Sequence, residues 1–132
     1  MSISVGEPVP LFERVGGSGF FQELVSRFYA GVAQDEVLRP LYPEQDLASA
    51  TERLTLFLIQ YWGGPTTYSE LRGHPRLRMR HVGFHVGPAA RDAWLARMGA
   101  ALASMQMAEA DRTELWSYLT AAAGSLQNQA ED

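Results

Sequence analysis

Three histidines, His74, His81 and His85, lie within one short stretch of the 132-residue chain, which contains no others. His81 and His85 are four residues apart, a spacing that puts two imidazoles on one face of a helix, as zinc sites often do. The surrounding residues fit no standard metal motif. No carboxylate stands three residues before any histidine, so the Glu-x-x-His pair of di-iron helical bundles is missing. Val82 occupies the place of the glutamate in an HExxH motif, and Gly83 and Gly87 interrupt a continuous helix. A two-histidine zinc site and ordinary surface or packed histidines both remain open. Arg72, Arg76, Arg78 and Arg80 crowd the same stretch. They read as a solvated face, as a nucleic-acid patch, or as a cluster that neutralises the acidic groups of a small molecule by bidentate pairing.

Tyr29, Tyr42 and Trp94 form the second group of interest. Each falls on or beside a position expected to face the core, where a phenol or indole needs a hydrogen-bond partner. The plain reading is ordinary core with satisfied polar tips. The alternative is a cavity lined by polar-tipped aromatics.

Composition narrows the chemistry. There is no cysteine, which removes thiolate metal sites, disulfides and a cysteine nucleophile. All 11 basic residues are arginine, which removes Schiff-base chemistry and a P-loop lysine. The net charge of -4 sets the chain against nucleic acid, and no apolar run approaches the ~20 residues of a membrane span. The start lacks the basic and apolar regions of a signal peptide, so a cytoplasmic location is expected.

The elements that must position these residues are helical. Pro10 to Val15 reads as a short helix ended by Gly16-Gly17, and Gly19 to Gln34 as an amphipathic one on Phe21, Leu24, Val25, Phe28 and Val32. Two prolines in Arg39-Pro-Leu-Tyr-Pro43 impose a turn or extended geometry. Asp46 is placed to cap a helix to Tyr61 on Leu47, Ala50, Leu54, Phe57, Leu58 and Tyr61, which Gly63-Gly64-Pro65 stops. Thr66 to Val86 has poor periodicity, with a basic run at its centre and room for one helical turn or two. Pro88 restarts a helix with Trp94, Leu95, Met98, Ala101, Leu102 and Met105 on one side, and a last helix spans Ala108 to Gln127 on Leu115, Tyr118, Leu119, Ala122 and Leu126. No segment alternates with period two, so the fold class is all-α. The expected organisation is a flexible extension over 1–10, one domain over 11–127 and a frayed tail over 128–132.

Several segments together resemble the truncated haemoglobins of group II. They are the pairs Gly16-Gly17 and Gly63-Gly64, Val25-Ser-Arg-Phe-Tyr-Ala30, Arg39-Pro-Leu-Tyr-Pro-Glu44, Gln60-Tyr-Trp-Gly-Gly-Pro65, Arg72-Gly-His-Pro-Arg-Leu-Arg-Met-Arg-His81 and Arg91-Asp-Ala-Trp94. The resemblance runs from about Leu11 to Leu126. It implies a globin-like, two-on-two helical sandwich around haem b, with His81 as the proximal ligand of the iron and the sixth position open. It gives His74 and His85 no metal role.

The same resemblance makes Tyr29, Tyr42 and Trp94 the distal polar residues. Ala50 stands where larger globins carry a distal histidine, so hydrogen bonds to a bound ligand must come from these three. Phe28, Leu54, Phe57, Leu58 and Met98 are expected to line the haem cavity, and Arg53 and Arg80 to meet the propionates. The implied partners are dioxygen and other small ligands: nitric oxide, carbon monoxide or peroxide.

Three functions follow for comparison. The first is binding of dioxygen for transport, storage or sensing. The second is a redox enzyme on the same haem, a nitric-oxide dioxygenase or weak peroxidase. It needs a separate reductase, because the sequence has no flavin or nicotinamide motif. The third is a haem-free helical interaction module. Apolar faces are available for a homodimer.

Overall fold

Apolar residues spaced three and four apart, punctuated by glycine and proline, fold into helices with no strand among the residues that the computed structural model describes, 9–42, 47–72 and 87–126. In chain order these are α1 (Leu11–Arg14), α2 (Ser18–Val32), a 3-10 turn (Arg39–Leu41), α3 (Ala48–Tyr61), α4 (Thr67–Arg72), α5 (Pro88–Ala103) and α6 (Glu109–Leu126). None of the described helices is long and apolar enough to cross a membrane. Helix α2 packs on both α3 and α5, α5 packs on α6, and α4 lies against α3. Two helices therefore cross two others, the two-on-two sandwich.

Helix α2 is the centre of this arrangement. The five residues expected to face inward, Phe21, Leu24, Val25, Phe28 and Val32, are all buried, and so are Phe20 and Tyr29. A helix contacting one neighbour needs a single apolar stripe, whereas α2 meets two and buries a wider arc. Phe20 meets Phe21 edge-on, at 5.2 Å between ring centres.

Helix α3 corrects part of the sequence reading. Ala50, Phe57 and Leu58 are buried as expected, and Leu47 and Leu54 are half-buried. Tyr61, expected on the same stripe, is 53% exposed, while Ile59 and Thr55 are inside. The cause is the turn that follows. Gly63 takes a φ of +106°, the Gly64 N–H returns to the Ile59 carbonyl at 2.8 Å, and the Gly63 N–H reaches the Gln60 carbonyl. This closes a Schellman-type end. Phe12 of α1 then donates its backbone N–H to the Trp62 carbonyl at 3.1 Å, which covers the Ile59 side of the helix. Helix α1 ends in the same way, with Gly16 at φ +115° and a Gly17 N–H to Phe12 carbonyl bond of 2.8 Å. Asp46, the expected cap of α3, lies outside the described residues.

Two short elements have local causes. The Pro40 segment forms one 3-10 turn, in keeping with the turn geometry expected of its prolines, because a proline in the first turn of a helix loses no needed donor. Within the stretch of poor periodicity, Thr67–Arg72 is a helix whose Tyr68 is buried against Phe57, at 5.5 Å between rings. Met105 is buried as expected, one residue beyond the Ser104 that ends α5. In the last helix Leu115 and Leu119 are buried, and Arg14 of α1 pairs with Asp111 at 2.9 Å and Glu114 at 2.8 Å.

The glycine turn gives a direct test. A Cβ at Gly64 would lie 2.7 Å from both Ile59 Cγ2 and the Phe12 ring, so Gly64→Ala should cost about 1–3 kcal/mol through overpacking. Gly19, near the start of α2, has open space around it, and Gly19→Ala should stabilise by about 0.5–1 kcal/mol. Urea unfolding midpoints of the two variants should move in opposite directions.

Candidate functional site

Consecutive residues near the end of α2 open the site. Phe28 is fully buried and Tyr29 is 7% exposed, with ring centres 4.8 Å apart and planes at 71°. The Phe28 ring also meets Trp94 of α5 edge-on at 5.2 Å. Beyond the 3-10 turn, Tyr42 stands edge-on to Tyr29 at 5.5 Å and 84°. Tyr42, Tyr29, Phe28 and Trp94 thus form one continuous row of rings drawn from three segments of the chain. Edge-to-face contacts at these separations are the favoured arrangement of aromatic pairs. The three polar-tipped aromatics singled out in the sequence are therefore brought together, with Phe28 as the link.

The remaining lining candidates divide by helix. Phe57 and Leu58 of α3 and Met98 of α5 are buried, and Leu54 and Trp94 are half-buried against the same core. Ala50 is buried at 3% exposure and brings no side-chain donor. Arg53 is half-buried, and its Nη1 donates to the Ser49 hydroxyl one turn earlier at 3.3 Å. His81, Arg80, His74, His85, Arg76 and Arg78 lie outside the described residues. Among the described residues no group of three or more His, Asp or Glu side chains is placed to hold a metal ion.

One device escaped the sequence reading. The Asp35 backbone N–H donates to the Val32 carbonyl at 3.0 Å, which ties it to the end of α2. Its Oδ1 accepts from the backbone N–H groups of Val37 at 2.8 Å and Leu38 at 3.0 Å, while its Oδ2 accepts from Arg97 Nε at 2.8 Å. Arg97 lies three residues after Trp94 on α5. Leu38, held by this turn, is 2% exposed in the core, and Arg39 Nη1 reaches the Tyr42 carbonyl at 3.1 Å. The close crossing of α2 and α5 needs Gly31, where a Cβ would stand 3.0 Å from Arg97 Cδ. The only sequence signal was an aspartate just past an apolar helix, a common turn starter.

The hydrogen bond from Arg97, followed by that from the Leu38 N–H, holds the Asp35 carboxyl below its ordinary value of 3.8, against the opposing push of burial.

These residues suit a porphyrin. A flat apolar macrocycle needs walls such as Phe28, Leu58 and Met98, and a small ligand on its metal needs N–H or O–H donors such as Trp94, Tyr29 and Tyr42. A two-on-two sandwich carrying such a lining is the architecture of a truncated globin.

Comparison with known proteins agrees. The model of the family described as bacterial-like globin matches residues 10–128. The group 2 truncated hemoglobin YjbI of Bacillus subtilis is 36% identical over 115 residues, covering 87% of this chain and 86% of that protein. Among solved structures, a thermostable hemoglobin of Thermobifida fusca is 53% identical with a TM-score of 0.91, covering 93% of this chain and all of that one. The group II truncated hemoglobin of Bacillus anthracis is 33% identical with a TM-score of 0.90, covering 96% of each chain. The chain belongs to the bacterial-like globin family, as a group II truncated haemoglobin. Its cofactor is haem b, and haem-based binding of small ligands is the activity of that family.

The Asp35 pair makes a pH prediction. Because the folded pKa lies below the unfolded one, its stabilisation is fully present above the ordinary carboxylate range and is lost as pH falls through the lowered folded value. Asp35→Asn should be less stable than the parent near neutrality, and the gap should narrow in acid. Urea midpoints measured across that pH range would show it.

Proposed function

We propose that this chain binds dioxygen and other small diatomic ligands, with Tyr29, Tyr42 and Trp94 as the donors that stabilise them. The observation that supports this reading is the row Tyr42–Tyr29–Phe28–Trp94, which gathers an indole N–H and two phenols at one place in the sandwich. Haem b would supply an iron able to take a small ligand. His81 would hold that iron through a neutral imidazole. Phe28, Leu54, Phe57, Leu58 and Met98 would exclude water around the macrocycle, and Arg53 and Arg80 would pair with its propionates.

Trp94 is a donor only, whereas either tyrosine donates or accepts. A dry wall of phenylalanine, leucine and methionine makes each of those hydrogen bonds stronger than it is in water. Charge gathering on a diatomic ligand is stabilised by fixed donors in the manner of an oxyanion site. Two such bonds of ~1.5 kcal/mol each slow ligand release by roughly two orders of magnitude. Retention on that scale suits storage, sensing or chemistry on the bound gas better than rapid transport. Ala50 of α3 is buried and, as an alanine, competes with none of these donors.

Two substitutions test the reading. Trp94→Phe keeps an aromatic body and removes one donor, so oxygen dissociation measured by stopped flow should speed up about ten-fold, equivalent to ~1.4 kcal/mol. An unchanged rate would assign the ligand to the tyrosines alone. His81→Ala should abolish stable iron ligation, seen as a changed haem spectrum; an unaltered spectrum would reject His81 as the ligand.

A further inference from the structure

Outside the donor row lies a second aromatic group that the ligand site does not use. Tyr61, in the last turn of α3, stacks on Tyr118 of α6 with ring centres 4.1 Å apart and planes inclined by 25°. Trp62 stands edge-on to both, at 5.1 Å from Tyr61 and 5.5 Å from Tyr118. Its buried Nε1 has no hydrogen-bond partner. Tyr61 is 53% exposed, so the group opens to solvent on one side. The inner side continues through Phe57, at 6.2 Å from Tyr61, to the buried Tyr68. Three easily oxidised rings are therefore in mutual contact at the seam between α3 and α6.

We propose that Tyr61 and Tyr118 are a one-electron oxidation site that closes into an intramolecular dityrosine. Geometry separates this pair from the other tyrosine pair of the protein. Tyr29 and Tyr42 meet edge-on at 84°, which points a ring edge at a ring face. Tyr61 and Tyr118 overlap nearly face to face, so carbons of one ring lie in van der Waals reach of the other. Both rings sit on helices, which keeps them together through the lifetime of a radical. Trp62 offers a third ring on which the oxidising equivalent can reside before the pair closes.

The chemistry balances with hydrogen peroxide as oxidant. Each phenol gives up one electron and one proton, and the two phenoxyl radicals join through a carbon ortho to each hydroxyl. The hydrogens on those carbons then move to the oxygens and restore two phenols. Peroxide takes up the two electrons and two protons, its O–O bond breaks, and two waters result. Burial, with a smaller contribution from the neighbouring Tyr61, pushes the Tyr118 phenol up to about 12, so that ring still holds its phenol proton at neutral pH. The product is a covalent staple between the two layers of the sandwich. The site belongs to α3 and α6 and does not depend on the ligand-binding reading.

The test oxidises the purified full-length protein in two ways and maps dityrosine by peptide mass spectrometry. One sample receives peroxide. The other receives light and a photo-excited ruthenium complex with persulfate as electron acceptor, a route that needs no haem. A Tyr61–Tyr118 cross-link within one chain in the photo-oxidised sample supports the site whatever cofactor the chain carries. The same product from peroxide also supports oxidation by way of the haem. The cross-link should be lost in both Tyr61→Phe and Tyr118→Phe, changes that remove one oxygen each, and kept in Tyr29→Phe under photo-oxidation, the route that needs no haem. Dityrosine that joins other residues, joins two chains, or survives in Tyr61→Phe would overturn the proposal.

Discussion

Asp35 accepts hydrogen bonds from the turn after α2 and from Arg97 of α5, on either side of the crossing that brings Phe28 to Trp94. Its backbone continues the end of α2, its Oδ1 fixes the turn that leads to Tyr42, and its Oδ2 holds Arg97 of α5, three residues from Trp94. One carboxylate therefore links the segments that carry all three polar-tipped aromatics. The crossing itself is close because Gly31 has no side chain to push Arg97 away. With α2 and α5 so held, the Phe28 ring fills the space between Tyr29 and Trp94. The buried rings set the row, and the carboxylate sets how the row is aligned.

The helices were legible because their apolar periods are strong. All five inward residues named for α2 are buried, and the glycine pairs that were read as stops are helix ends with positive φ at Gly16 and Gly63. Tyr61 was misplaced for an equally local reason. Periodicity describes a straight helix against one neighbour, but the Gly63-Gly64 turn brings α1 across the end of α3 and draws Ile59 inward. Composition cannot report a contact made by residues fifty positions away.

The site was legible to a different degree. Tyr29, Tyr42 and Trp94 drew notice singly, by residue type, and spacing of 13 and 52 residues between them says nothing about contact. The family resemblance joined them, and the ring contacts place them in one row. Asp35 and Arg97 stayed hidden because an Asp–Arg pair far apart in sequence has no local signature. Tyr61 and Tyr118 were each read only as members of a helical stripe, and their stacking belongs to tertiary structure alone.

A donor-lined haem site makes its most direct statement in visible absorption. The purified protein should show a Soret band, a reduced form with the spectrum of five-coordinate iron, and on exposure to oxygen a stable complex that decays slowly. A reduced form already six-coordinate through a protein side chain would contradict the open ligand position. An oxygen complex lost as fast as from a pocket without donors would contradict the role given to Tyr29, Tyr42 and Trp94.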